Sequence, residues 1–260
     1  MTPVYVPPPF PSGAWAIFLD FDGTLVDFAS TPAEVLRDAG LIALLARLDA
    51  VLHGALAIVS GRSIATLDSL LAPLQLPMAG LHGLERRTAD GVLHGHAGDT
   101  AWIGPLREAL RHHVDAHPGL LLEDKGLSVA VHYRRAREHE AATRSLLQQL
   151  CCSLPAEIEM LEGDAVLELR PAACNKGTAV EAFMREPPFA GRRPLFIGDD
   201  ITDSDAFAFV GRSGGMAIAV GERVPAPWHL AGPMAVREWL GEVVERAHEL
   251  GRETISGDLR

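Results

Sequence analysis

Asp20 and Asp22 stand two residues apart at the end of an apolar run, Trp15-Ala16-Ile17-Phe18-Leu19, and Gly23-Thr24-Leu25 follow them. Such a run reads as a buried strand. Alternate residues of a strand share a face, so both carboxylates point into one small volume. Like charges held that close repel unless a proton or a cation separates them. A hard cation such as Mg²⁺ takes carboxylate oxygens together with those of a phosphate. Gly23 allows a sharp turn with the backbone close to a ligand. Open α/β sheets collect their ligands at the carboxyl ends of strands, so chemistry is expected here.

Three further segments have the same form. Ala55-Leu56-Ala57-Ile58-Val59 is a second apolar run, and it ends in Ser60-Gly61-Arg62-Ser63. A hydroxyl and backbone N–H groups at a helix start suit phosphate oxygens. Asn175-Lys176-Gly177-Thr178 puts a lysine at a helix start, a point charge for an anion. Pro194-Leu195-Phe196-Ile197-Gly198 runs into Asp199-Asp200-Ile201-Thr202-Asp203. Of these acids Asp199 is the first expected metal ligand. Asp200 and Asp203 are expected to orient ligands and water or to cap the following helix.

In order, these segments resemble the four motifs of the haloacid dehalogenase (HAD)-like phosphohydrolases. Asp-x-Asp-Gly-Thr-Leu resembles the first, the Ser60 segment the second and the Lys176 segment the third. The fourth, Gly-Asp-Asp-x-Thr-Asp, has the form found in the trehalose-6-phosphate phosphatase family. Gly80-Leu81-His82-Gly83-Leu84-Glu85-Arg86-Arg87 is also similar to a segment typical of that family. The resemblance implies that Asp20 is the nucleophile and forms an aspartyl-phosphate. It makes Asp22 the acid and base, and Lys176 with Ser60, Gly61 and Arg62 the phosphate-binding group. The Asp20 carboxylate, the Asp22 backbone carbonyl and Asp199 would then hold Mg²⁺.

These motifs need a parallel sheet behind them, and the chain is read as an α/β, HAD-like Rossmannoid core over 14–101 and 172–260. Thr31-Pro32-Ala33-Glu34 has a capping-box form, and Val35 onward recurs at helical spacing. Between Trp102 and Arg170 the pattern changes. A helix (Ile103 to His117), strands Leu120 to Glu123 and Leu127 to Tyr133, a helix (Ala136 to Cys152) and strands Glu157 to Leu161 and Ala165 to Leu169 make an αββαββ unit. An antiparallel unit inside βα alternation reads as an inserted cap domain, set at 102–171, and caps exclude water over a bound substrate. Its hairpin carries Glu123, Lys125, His132 and Arg134, polar groups of the kind polyols require. The resemblance assigns Glu123, Lys125, Arg134, Glu168 and His82 to sugar recognition.

The remaining features bound the class. Among 260 residues, 48% are hydrophobic and 22% charged, which suits a globular chain with a full core. The formal charge of −11 argues against nucleic acid and anionic membrane as partners. It also means that an anionic substrate must be drawn in by a local cation. Cys151, Cys152 and Cys174 cannot all pair and show no zinc spacing. With no long apolar run and no leader-like N-terminus, a cytoplasmic monomer is expected. Residues 1–13, with five prolines, read as an extended arm, and the last residues, from Arg252, as a polar tail. The function implied is Mg²⁺-dependent hydrolysis of trehalose 6-phosphate, with a trehalose-6-phosphate synthase functionally upstream. Sucrose phosphate and mannosyl phosphoglycerate are the alternative substrates. A silent sugar-phosphate sensor is the alternative of another class.

Overall fold

The structure is a computed structural model and describes residues 8–11, 13–28, 35–95 and 100–257. In chain order the core begins with β1 (Trp15–Leu19), α1 (Ala39–Val51), β2 (Leu56–Val59), α2 (Ile64–Leu71), β3 (Met78–Gly80), β4 (Glu85–Arg87) and β5 (Leu93–Gly95). The chain then forms α3 (Ile103–Asp115), β6 (Leu121–Asp124), β7 (Val129–His132), α4 (Glu140–Cys151), β8 (Ile158–Gly163) and β9 (Val166–Pro171). It returns with α5 (Lys176–Phe183), β10 (Arg193–Gly198), α6 (Ser204–Arg212), β11 (Met216–Val220), β12 (Trp228–Leu230) and α7 (Pro233–Gly257).

The large sheet has the order β12-β11-β10-β1-β2-β3-β4-β5, parallel except for β4 and β5 at one edge. Every residue of β1 and β2 is buried, because helices cover both faces of a parallel sheet and leave no solvent face to alternate with. Phe18 stacks on Phe189 at 5.4 Å, and Phe183 lies 5.1 Å from the same ring. From β1 the chain first moves to β2 and β3, and later fills the other side with β10 and β11. The strand order therefore reverses between β1 and β10, and such switch points open a crevice at the carboxyl ends. Leu19 pairs with Ile197, which sets Asp20 and Asp199 side by side at its mouth.

The second sheet, β6-β7-β9-β8, is wholly antiparallel. It is backed by α3 and α4 and has its own cluster, including Leu110, Val129, Leu147, Leu167 and Leu169. This unit is called the cap below.

Several boundaries differ from the sequence reading. The first helix begins at Ala39, not near Val35. Asp38 accepts hydrogen bonds from the N–H groups of Gly40 (2.8 Å) and Leu41 (3.1 Å), and so satisfies the orphan donors of the first turn. Leu36 lies outside the helix with 81% of its surface exposed, and the Thr31–Glu34 box falls outside the described residues. Strand β12 was not anticipated, since three residues flanked by Pro227 give no periodicity. Helix α7 runs on to Gly257, through the start of the stretch from Arg252 read as a polar tail. Of the proline arm, residues 8–11 lie against that helix. The Phe10 ring stacks on Trp239, and Trp239 Nε1 donates to the Pro8 carbonyl at 3.3 Å. No helix of the described residues is long and apolar enough to cross a membrane.

Candidate active site

Asp20 follows β1 and stays tied to the sheet through its N–H, which donates to the Ile197 carbonyl at 2.9 Å. Its carboxylate is buried. Lys176, at the first position of α5, donates to Asp20 Oδ1 at 2.8 Å and to Asp203 Oδ1 at 2.6 Å. The start of α5 is held by Asn175 and Thr178 in a reciprocal cap, so the lysine stem leaves the helix from a fixed point. Burial alone would lower the Lys176 pKa, but Asp20 and Asp203 outweigh it and hold the ammonium above its ordinary range. Removing this cation would leave buried carboxylates uncompensated. Lys176→Met is therefore expected to cost about 3–5 kcal/mol of stability by urea unfolding. A loss under about 1 kcal/mol would mean that these charges do not depend on Lys176.

Asp20, Asp199 and Asp203 bring carboxylate oxygens within 4.8 Å of one another. Asp203 is already spent: besides Lys176, it accepts from the N–H groups of Asp199 (2.9 Å) and Asp200 (3.0 Å). It folds the loop after β10. Asp200 in turn caps the short 3₁₀ turn that precedes α6. Asp20 and Asp199 remain for a cation. Burial, then the neighbouring acids, pushes the Asp199 carboxyl up to about 7 against the pull of Lys176. Asp20 is raised too, chiefly by burial. Two buried carboxylates with surplus proton affinity and an all-oxygen donor set fit a hard divalent cation. Gly23 permits the approach: at φ +81° it lies so close to Asp199 that a Cβ would stand 2.5 Å from the carboxylate. Thr24, given no role from sequence, lies 3.4 Å from Asp20 Oδ2 and 3.3 Å from Asp199 Oδ1 through its hydroxyl.

Asp22 faces the same crevice, and the Arg62 guanidinium grips it in a fork. Nε donates to Oδ2 at 2.6 Å and Nη2 to Oδ1 at 2.7 Å. Arg62, expected among the phosphate ligands, thus has the acid/base candidate as its partner here. Ser60 is buried at the end of β2, and its Oγ accepts from Arg62 N at 3.2 Å. Beside it Gly61 has no room for a side chain, since a Cβ would stand 2.6 Å from His82 Nε2. Burial holds His82 well below the ordinary histidine range, so it sits neutral in the lining of the pocket, with Nε2 3.9 Å from Glu168 Oε2.

The cap closes the top. Lys125 donates to Glu168 Oε2 at 2.7 Å and to the Gly61 carbonyl at 3.2 Å, joining cap and core. Burial would lower its pKa, but Glu168 and Glu123 raise it. Glu123 Oε2 lies 2.7 Å from His132 Nε2. Arg134 is turned toward Asp164, at 2.7 Å. Asp20, Asp22, Ser60, Arg62 and Lys176 on the core, with Glu123, Lys125, Arg134 and Glu168 on the cap, line one cavity. It holds ≈ 950 Å³ of empty space, the open solvent at its mouth included. Asp199 lines an adjoining pocket with Gly23 and Phe28, and Asp203 is fully buried. His132, named on the cap hairpin from sequence, lines the main cavity too, as do Asp164 and Phe28, which no local pattern singled out.

The trehalose-phosphatase family model matches residues 18–233. The chain belongs to this family. A probable trehalose-phosphate phosphatase of Sinorhizobium fredii is 45% identical over 212 residues, which cover 82% of this chain and 80% of that one. A trehalose-6-phosphate phosphatase of Escherichia coli is 39% identical over 248 residues, or 95% of this chain and 92% of that one. The crystal structure of a trehalose-6-phosphate phosphatase related protein superposes with a TM-score of 0.76 at 29% identity, covering 90% of this chain and 98% of that one. The core with its second, antiparallel sheet is the HAD-like fold of this family.

Proposed function

We propose that the protein hydrolyses trehalose 6-phosphate to trehalose and phosphate through an aspartyl-phosphate on Asp20. The observation that carries this reading is that one cavity is lined on its floor by the phosphoryl-transfer set and on its roof by the sugar-binding set. Asp20 attacks phosphorus, splitting one difficult hydrolysis into two easier displacements. Lys176 fixes the attacking carboxylate and, with Ser60, neutralises the phosphoryl oxygens. Asp22 gives its proton to the departing sugar oxygen and later takes one from water. Its fork with Arg62 occupies both carboxylate oxygens, so Arg62 must first exchange Asp22 for the incoming phosphate dianion. That exchange gives the phosphate a cation and frees the Asp22 oxygens to face the departing group. Mg²⁺ held by Asp20, Asp199 and the Asp22 backbone carbonyl supplies the charge that screens nucleophile from phosphate.

In this reading the Lys125–Glu168 and Glu123–His132 pairs open to sugar hydroxyls. Each is a charge-assisted hydrogen bond worth about 1.5–3 kcal/mol. Lys125→Ala or Glu123→Ala should therefore lower kcat/KM for trehalose 6-phosphate by roughly 10–100-fold. Hydrolysis of a small aryl phosphate should change by less than about threefold, because that substrate does not reach the roof. The measurement is phosphate release with Mg²⁺ across trehalose, sucrose and glucose 6-phosphates, mannosyl phosphoglycerate and the aryl ester. Equal losses on all substrates would remove the cap residues from recognition. Preference for another sugar would keep the Asp20 chemistry and discard the trehalose assignment. A trehalose-6-phosphate synthase reaction would supply the substrate.

A further inference from the structure

Two hairpin tips of the cap reach the core. The first carries Lys125, whose contact with the Gly61 carbonyl uses a group that the sugar must also engage. The second is the β8–β9 turn. There Asp164 Oδ2 accepts from Arg134 Nη2 at 2.7 Å and from Arg223 Nη2 at 2.8 Å. Arg134 belongs to the cap, directly after β7. Arg223 belongs to the core, in the loop between β11 and β12. Both guanidinium groups lie over the Phe28 ring, at 5.3 and 4.8 Å from its centroid. The neighbouring Gly163 is seated on the loop after β10, where a Cβ would lie 3.6 Å from Asp200 Oδ2. One carboxylate thus joins a cap cation to a core cation, and an aromatic face from the segment after Asp20 lies beneath both.

We propose that Asp164, Arg223 and Phe28 form a clasp that sets the cap over the pocket, which makes Asp164 and Arg223 positioning residues for the phosphatase reaction. The proposal rests on the function argued above. Its reason is geometric: the Lys125 contact is given up or shared when sugar enters, whereas Asp164, though it borders the cavity, already has both arginines as partners. The Asp164 side chain is only 15% exposed, so its attraction to the arginines is less screened than that of a surface pair. Phe28 adds cation–π attraction to each guanidinium.

A different use of the same groups predicts the opposite sign. If Arg134 and Arg223 served to attract the phosphate, removing the Asp164 charge would strengthen the local field and tighten substrate binding. If they clasp the cap, the same change loosens the roof and weakens binding. The experiment compares wild type with Asp164→Asn, Arg223→Gln and the double variant at saturating Mg²⁺. Each single variant is expected to raise KM for trehalose 6-phosphate about tenfold, the effect of roughly one charge-assisted contact. Aryl phosphate turnover should stay within about twofold of wild type. The double variant should lose clearly less than the sum of the single losses, because the two share the Arg223–Asp164 contact, while Asp164 also holds Arg134 and Arg223 also lies 3.9 Å from Asp199 Oδ2. Arg223→Lys keeps the charge but loses the planar guanidinium over Phe28 and should fall between.

Small-angle scattering of the substrate-free proteins gives a readout that needs no activity, with a larger radius of gyration expected for the variants. A lower KM in Asp164→Asn, additive losses, equal losses on both substrates or unchanged scattering would each overturn the clasp. A wild type that does not hydrolyse trehalose 6-phosphate would overturn the function instead, and the scattering comparison would still decide the clasp.

Discussion

Asp20→Asn is expected to lower phosphate release by roughly 10⁴-fold or more, the order of loss seen when a hydrolase loses its covalent nucleophile. The amide has the shape of the carboxylate but no electron pair basic enough to displace a sugar oxygen at phosphorus. The fold should survive, because Asp203 still pairs the buried Lys176 when the Asp20 charge is gone. Lys176 keeps Asp203 at 2.6 Å, and Asp20 gives up a carboxylate that burial already drives toward its protonated form. Without metal at pH 8, the variant should unfold at a temperature equal to or above that of wild type. Steady-state phosphate release together with calorimetry checks both halves. Turnover within about tenfold of wild type would remove Asp20 from the nucleophile's role, and a large drop in melting temperature would mean that its charge is structural.

How far such a site can be read from the chain depends on whether its parts are local. The Asp20 segment is legible because a strand buried on both faces must be apolar throughout, so the carboxylates mark its end sharply. The same holds for Ser60 after β2 and Asp199 after β10. Sheet order is less accessible, since the switch between β1 and β10 depends on a pairing that spans the whole cap insertion. The start of α1 was misplaced because Thr31 offers a capping side chain of the kind that Asp38 supplies seven residues later. The Arg62–Asp22 fork joins residues 40 positions apart, and nothing near either residue announces it. Asp164 and Arg223 are farther apart still, and as isolated charges on two loops they look like solvated surface. What escapes the sequence is chiefly the pairing of charges across loops, because pairing is a property of the folded surface and not of any window.

The second large effect concerns the cation and its dependence on pH. Chelation should abolish phosphate release, and Mg²⁺ should restore it, with an apparent affinity that weakens as the solution is made more acidic. A metal binds the deprotonated carboxylates and displaces their protons. With the Asp199 carboxyl at about 7 in the metal-free protein, affinity should fall by up to about tenfold for each pH unit below that value, per proton displaced. Stability gives the same sign independently of turnover. A carboxyl whose folded pKa is raised binds more protons in the folded state than in the unfolded chain. Its contribution is therefore fully present below the unfolded value, near 4, and is lost as pH rises toward 7. Mg²⁺ offsets that loss by taking the proton's place. The rise in melting temperature on adding Mg²⁺ should be small at pH 5, grow toward pH 7, and be largely absent at every pH in Asp199→Asn. A Mg²⁺ effect that is constant across this window, or one that survives in Asp199→Asn, would mean that the cation sits elsewhere. The Asp20–Asp199 pair would then be only a buried acid pair that shares protons.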